Sequence, residues 1–211
     1  MKIRKAETKD LPFIVECILE SEKSGGDIFP YSAAFGVSIS RFSQILLDVF
    51  DEEVNDQPWC LDHWFIAESN DGEAAAGLSA WEEGKGGVSS DFLKAQMLNY
   101  FLKNEWEQSQ ENLKVLSSVT IPRKPQYVQL EHLYTHPLYR GKGYMKNLIQ
   151  EAFNSFENKY FEIQVLESNK HAVSLYEYIG FSVHERQCNG DIERLSLLSG
   201  TCKLQLLRNH G

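Results

Sequence analysis

The run Leu133-Tyr134-Thr135-His136-Pro137-Leu138-Tyr139-Arg140-Gly141-Lys142-Gly143-Tyr144-Met145 sets two glycines and two cations between an apolar stretch and a helical one. A helix start leaves about four backbone N–H groups unpaired and presents the positive end of the helix dipole. Gly141 and Gly143 have no Cβ, so the main chain there can wrap closely around an anion such as a diphosphate. Arg140 and Lys142 add positive charge, and the amides of Tyr144 and Met145 complete the turn. A G-x-G pair alone is more often an ordinary turn. Two other phosphate loops are excluded: residue 146 is lysine where G-x-G-x-x-G needs glycine, and no G-x-x-x-x-G-K-[ST] occurs. Gly84-Lys85-Gly86-Gly87 lacks a strand-to-helix setting.

A second constellation follows at Ser168-Asn169-Lys170-His171-Ala172-Val173-Ser174-Leu175-Tyr176-Glu177-Tyr178-Ile179-Gly180-Phe181. Asn169 stands where a carboxamide can cap a helix or bond a ligand amide. Tyr176 lies about two turns further on, which puts both on one helix face.

Elements must position these residues. Residues 2–6 read as a strand, followed by Asp10 as an N-cap and an amphipathic helix through Leu11, Ile14, Val15, Ile18 and Leu19. Residues 27–37 read as aromatic and irregular, and 38–54 as a helix. Trp64 to Glu68 and Ala74 to Trp81 form a hairpin around Asn70-Asp71-Gly72. Helical spacing recurs over 90–108; strand 127–135, helix 142–157, strand 161–166 and helix 170–179 follow. Gly180 suits a C-cap. Strands at 181–187 and 202–207 close the chain around Asn189-Gly190. This order predicts an α/β (α+β) fold, a single domain over 1–211 with a mixed sheet and helices on both faces.

With 211 residues, 42% hydrophobic and 24% charged, the chain suits one globular domain. A net charge of −9 argues against nucleic acid as a partner and suits a cationic amine. No apolar run approaches the roughly 20 residues of a membrane span. No secretory h-region follows the first basic residues, so a cytoplasmic location is expected. Cys17, Cys60, Cys188 and Cys202 show no C-x-x-C pair, so no metal site is expected, and in a reducing compartment free thiols are.

Together the two constellations resemble the GNAT superfamily of N-acetyltransferases. Its R/Q-x-x-G-x-G/A motif is similar to Arg140–Met145, and N-x-x-A-x-x-L-Y-x-x-x-G-F to Asn169–Phe181 without a gap. Leu133, Thr135 and Pro137 resemble the family's L-x-V-x-P run. The likeness is specific over 128–181, which implies an acetyl-CoA-binding core there, a mostly antiparallel sheet, and splayed fourth and fifth strands. Met145 stands where the family has a small residue, and is expected to point into the core with its N–H free. Gln164 stands where some members carry a catalytic glutamate. The implied cofactor contacts are the backbone of Leu133, Tyr134 and Thr135 for pantetheine, and Arg140, Gly141, Lys142, Gly143, Tyr144 and Met145 for the diphosphate, with Asn169 and Tyr176 from the second motif.

The implied reaction is direct attack by a primary amine of a small molecule or peptide on acetyl-CoA. A backbone N–H of Tyr134 or Thr135 would polarise the carbonyl, and Tyr176 would protonate the departing thiolate or merely hydrogen-bond the sulfur. Glu131 is the candidate base: two residues before Leu133, it shares that residue's strand face, while His132 alternates away. His132 and His136 are alternative bases, and Gln129 a substrate contact. A GNAT-like acyl-CoA-binding module without turnover is the alternative. Residues 82–122 read as an insertion: a lid, a homodimer contact or padding.

Overall fold

The computed structural model describes residues 1–156 and 159–209. Its strands are β1 (Lys2–Lys5), β2 (Trp64–Glu68), β3 (Ala74–Glu82), β4 (Val128–Thr135), β5 (Phe161–Leu166), β6 (Ser182–Cys188) and β7 (Cys202–Arg208). They build one sheet in the order β1-β2-β3-β4-β5-β7-β6, antiparallel throughout except for β4 and β5. Period-2 alternation along β2 sends Trp64 and Ile66 to one core and Phe65 and Ala67 to another, one on each side of the sheet.

The first core is covered by α1 (Leu11–Glu22), α2 (Pro30–Phe35) and α3 (Ile39–Asp51), then by α4 (Ser90–Phe101), α5 (Lys103–Gln108) and α6 (Gln110–Ser117). The second lies under α7 (Tyr144–Ser155) and α8 (Lys170–Tyr178). The expected mixed, mostly antiparallel sheet with helices on both faces is therefore present. The tail of the helix expected over 142–157 reaches residue 157, outside the described residues.

Four expectations need correction. Residues 27–37 are not wholly irregular: Pro30 at the first helical position opens α2, and Gly36, at φ 69°, ends it. The stretch 90–108 is not one helix, because Leu102 leaves helical geometry (φ −114°, ψ 34°) while its side chain is fully buried. Asp10 does not cap α1 with its side chain; its carboxylate takes Arg4 and the amide of Glu7 instead. A short helix, α9 (Asp191–Arg194), sits between β6 and β7 in place of a plain turn.

The cysteine expectation also fails in part. Cys188 and Cys202 pair across β6 and β7 with their Cα atoms 4.1 Å apart, and their sulfurs are bonded; Cys17 and Cys60 are buried free thiols. Direct opposition on neighbouring strands outweighed the compartment argument. Alkylation of the denatured protein without reductant is expected to label two thiols, and four after reduction; four without reductant would refute the pairing.

Candidate active site

β4 and β5 share only the register pairs Val128↔Phe161 and Gln129↔Glu162, so their main chains part toward Thr135 and Leu166. Along its other edge β4 is irregular: Gly77 faces Tyr134 and Ser79 faces Glu131, so His132 and Leu133 together oppose Leu78. His132 takes φ 54° to make this bulge. Beyond it, Tyr134 pairs with Gly77 and the amide of His136 donates to the Ala75 carbonyl at 2.9 Å. Alternation then turns the amides of Leu133 and Thr135 into the gap between β4 and β5, and that of Tyr134 toward β3.

The bulge overturns the expected facing of side chains. His132 stacks on the Trp64 ring at 5.9 Å, with its Nε2 3.6 Å from Glu131 Oε2, so the two share a face. Leu133 packs on the opposite core, beside Leu130.

At the open end of the gap, α7 starts at Tyr144 with no side-chain cap. Among the described residues, the amides of Gly141 to Lys146 donate to no protein acceptor. Gly141 and Gly143 hold φ of 74° and 80°. A Cβ at Gly141 would meet nothing within 4 Å, so the backbone conformation is what calls for glycine there. Met145 lies against the second core, as expected. Arg140 reaches back, its Nε donating to the Thr135 carbonyl at 3.1 Å. Lys142 turns away: its ammonium donates to the Leu138 carbonyl at 3.0 Å and lies over the Tyr139 ring.

Asn169 does cap α8, its Oδ1 accepting from the Ala172 amide at 3.2 Å. The same carboxamide packs against Gly25 of the α1–α2 connection. Tyr176 is buried, with its ring edge-on to Phe181, and its hydroxyl donates to no protein group among the described residues. Burial pushes that hydroxyl above its usual pKa, so it stays protonated at neutral pH.

On the other side of the gap lies a charged chamber. Arg123, on the extended approach to β4, holds Asp91 at 3.1 Å, Gln129 at 3.1 Å and Glu131 at 2.6 Å. Gln129 in turn bonds Glu162, so it braces Arg123 from within the core rather than facing the chamber. Lys94 approaches Glu22 at 3.6 Å and lies over Trp59. Although desolvation acts the other way, the charges of Arg123 and Lys94 hold the Glu131 carboxyl far below the usual range. Burial keeps the His132 imidazole below its usual pKa, hence neutral at pH 7. Among the described residues, Glu131 Oε2 and His132 Nε2 are both buried without a hydrogen-bond partner.

A single cavity of about 960 Å³ joins these parts, from Gly141–Tyr144 through Leu133–Thr135 and Tyr176 to Glu131, His132 and Arg123. The acetyltransferase (GNAT) family model matches residues 38–181. The chain belongs to this family.

Solved structures agree on the fold of this GNAT chain. An N-acetyltransferase from Staphylococcus aureus Mu50 superposes with a TM-score of 0.61 at 15% identity, covering 98% of this chain and 100% of that one. A structure described as histone acetyltransferase HPA2 and related acetyltransferase, from Corynebacterium glutamicum ATCC 13032, gives 0.60 at 14%, covering 100% and 96%. A variant spermidine N-acetyltransferase from Vibrio cholerae gives 0.54 at 14%, covering 99% and 95%. Comparison with curated protein sequences returns no match.

Within the GNAT fold, the sequence-predicted residues Glu131, Leu133, Tyr134, Thr135, Arg140, Gly141, Gly143, Tyr144, Met145, Asn169 and Tyr176 all line the cavity. The Lys142 side chain does not, and neither does His136, whose Nδ1 accepts from the Leu138 amide. Sequence reasoning missed Glu22, Lys94, Arg123 and Lys203, which line the chamber from four separate segments. Nothing in their local spacing marks them.

Proposed function

We propose that this chain moves an acetyl group from acetyl-CoA to a primary amine of a small molecule or peptide by direct attack. The observation that carries this reading is the cavity itself, which joins a cradle of unpaired amides, a gap edged by free strand amides and a chamber of titratable groups. The amides of Gly141 to Met145 fit a diphosphate. Those of Leu133 and Thr135 fit the amide groups of pantetheine, as an added strand would. Acetyl-CoA supplies an activated thioester; the acceptor amine must arrive neutral.

The amide of Leu133 or Thr135, rather than that of Tyr134, is then the donor that polarises the acetyl carbonyl. Glu131 is held ionised by Arg123 and is too weak a base to take a proton from an ammonium. It serves His132, whose neutral imidazole accepts the amine proton directly or through water. The carboxylate 3.6 Å away stabilises the imidazolium that forms. Tyr176 supplies the proton that leaves with the thiol.

Acetyl-CoA at 100 times its Kd is expected to add about 2.7 kcal/mol by mass action, a rise in Tm of roughly 5–10 °C for a chain of this size. Thiol release on adding a mixed amine panel completes the test. No Tm shift at millimolar acetyl-CoA removes the reading; a shift without thiol release from any amine favours a binding module instead.

A further inference from the structure

The chamber beyond the β4–β5 gap is charge-balanced, although the chain as a whole is acidic. Glu22, Asp91 and Glu131 face it, and so do Lys94, Arg123 and Lys203. The three acids are engaged. Arg123 holds Asp91 and Glu131, while Glu22 has Lys94 at 3.6 Å and accepts from the Tyr31 hydroxyl at 3.3 Å. Glu20, which also lines the cavity, holds Lys23 at 2.6 Å, so among the described residues a second ammonium on a polyamine acceptor would find no carboxylate here that is not already serving a cation.

Lys203 is different. It stands on β7 opposite Leu166, at the open end of the gap, and among the described residues its ammonium makes no hydrogen bond or ion pair. The neighbouring Leu204 and Leu206 turn to the second core, while Lys203 and Gln205 turn to the chamber side, where Gln205 bonds the Pro122 carbonyl. Burial, together with the field of Arg123, pushes the Lys203 pKa down. Asp91, Glu131 and Glu22 oppose that shift without pairing with Lys203, so the half-buried ammonium has no partner in contact among the described residues, and an anion delivered by a ligand would supply one.

We infer that the acceptor is an amine that also bears a carboxylate, as a free amino acid does, and that Lys203 binds that carboxylate. The inference rests on the transferase reading above and deepens it by naming a substrate class. A charge-assisted hydrogen bond in this setting gives about a tenfold to hundredfold preference over the same amine without the charge.

The experiment uses amino acids and dipeptides, each beside its own carboxamide. Thiol release gives the ratio of kcat/KM within each pair, and Tm shifts in the presence of coenzyme A give binding without turnover. For at least one pair, the wild type is expected to favour the free carboxylate by tenfold or more. In Lys203→Met that ratio falls toward one, while Lys203→Arg keeps most of it. An unchanged Tm shift with acetyl-CoA shows that Lys203→Met is folded. Thiol release with no preference for the carboxylate in any pair, or a preference that survives Lys203→Met, overturns the inference and leaves the transferase reading standing. Carboxylate-dependent Tm shifts that vanish in Lys203→Met, with no thiol release from any amine, do the reverse.

Discussion

Replacing Arg123 with methionine is expected to cost roughly 3–5 kcal/mol of stability, because it strands a charge instead of merely deleting a contact. The guanidinium is the hub of the chamber: its Nε, Nη1 and Nη2 reach Asp91, Gln129 and Glu131, and its side chain is only 7% exposed. Glu131 keeps 21% of its side chain open, which places the cost toward the lower end of that range. Urea unfolding at constant m-value measures it. The sign with pH is fixed. In the wild type the Glu131 carboxyl lies below its ordinary 4.5, so its contribution is complete above pH 4.5 and is lost as pH falls through the depressed folded value. Without Arg123 the depression shrinks, so the gap between variant and wild type should widen as pH rises toward 4.5 and above, and narrow in acid. Arg123→Lys keeps the charge but not the three-way fork, and should cost less. The double change Arg123→Met with Glu131→Gln should recover much of the loss, since the more buried carboxylate is then neutral and only Asp91, 41% exposed and so solvated by water, is left without its cation. A double variant no more stable than Arg123→Met alone would show that packing over Trp81, at 5.3 Å, and not charge, sets the cost.

What the sequence made legible was local. The cradle at 140–145 and the Asn169–Tyr176 face are contiguous runs in which spacing alone puts amides or side chains together, and each lands on the cavity. The strand and helix order came from periodicities of 2 and 3.6 that the two cores preserve. The failures of side-chain facing along β4 share one physical cause. Alternation counting assumes an unbroken strand, and the bulge at His132 adds one residue without any glycine or proline to announce it. From that point every facing is shifted by one, which is why Glu131 and His132 came out on opposite sides in the sequence and lie together in the fold. The chamber was illegible for another reason. Arg123, Lys94, Glu22 and Lys203 meet only because α4 to α6 fold back onto the first core, with Leu98 and Leu102 buried there. Residues 90–117 thus take part in the core and supply Asp91 and Lys94 to the cavity, whatever further role their exposed Phe92 and Tyr100 have.

Tyr176→Phe is expected to lower kcat by about a hundredfold or more, the usual worth of a positioned general acid, while acetyl-CoA binding changes little. The state that the hydroxyl contacts decides the outcome. In the folded protein it bonds no protein group among the described residues, so removing it strands no partner and the ring can keep its packing on Phe181. Its proton is retained because burial raises the pKa above 10.0, and no nearby cation offsets that rise. A loss confined to kcat means the hydroxyl acts in the transition state; a matching rise in KM for acetyl-CoA means it binds donor and transition state alike. The alkaline limb of the wild-type kcat profile should then lie above pH 10 and be absent from the phenylalanine variant, whose residual rate depends on water for the same proton. An unchanged kcat would assign that proton to solvent, and Tyr176 would be left as an aromatic wall between the coenzyme gap and the second core.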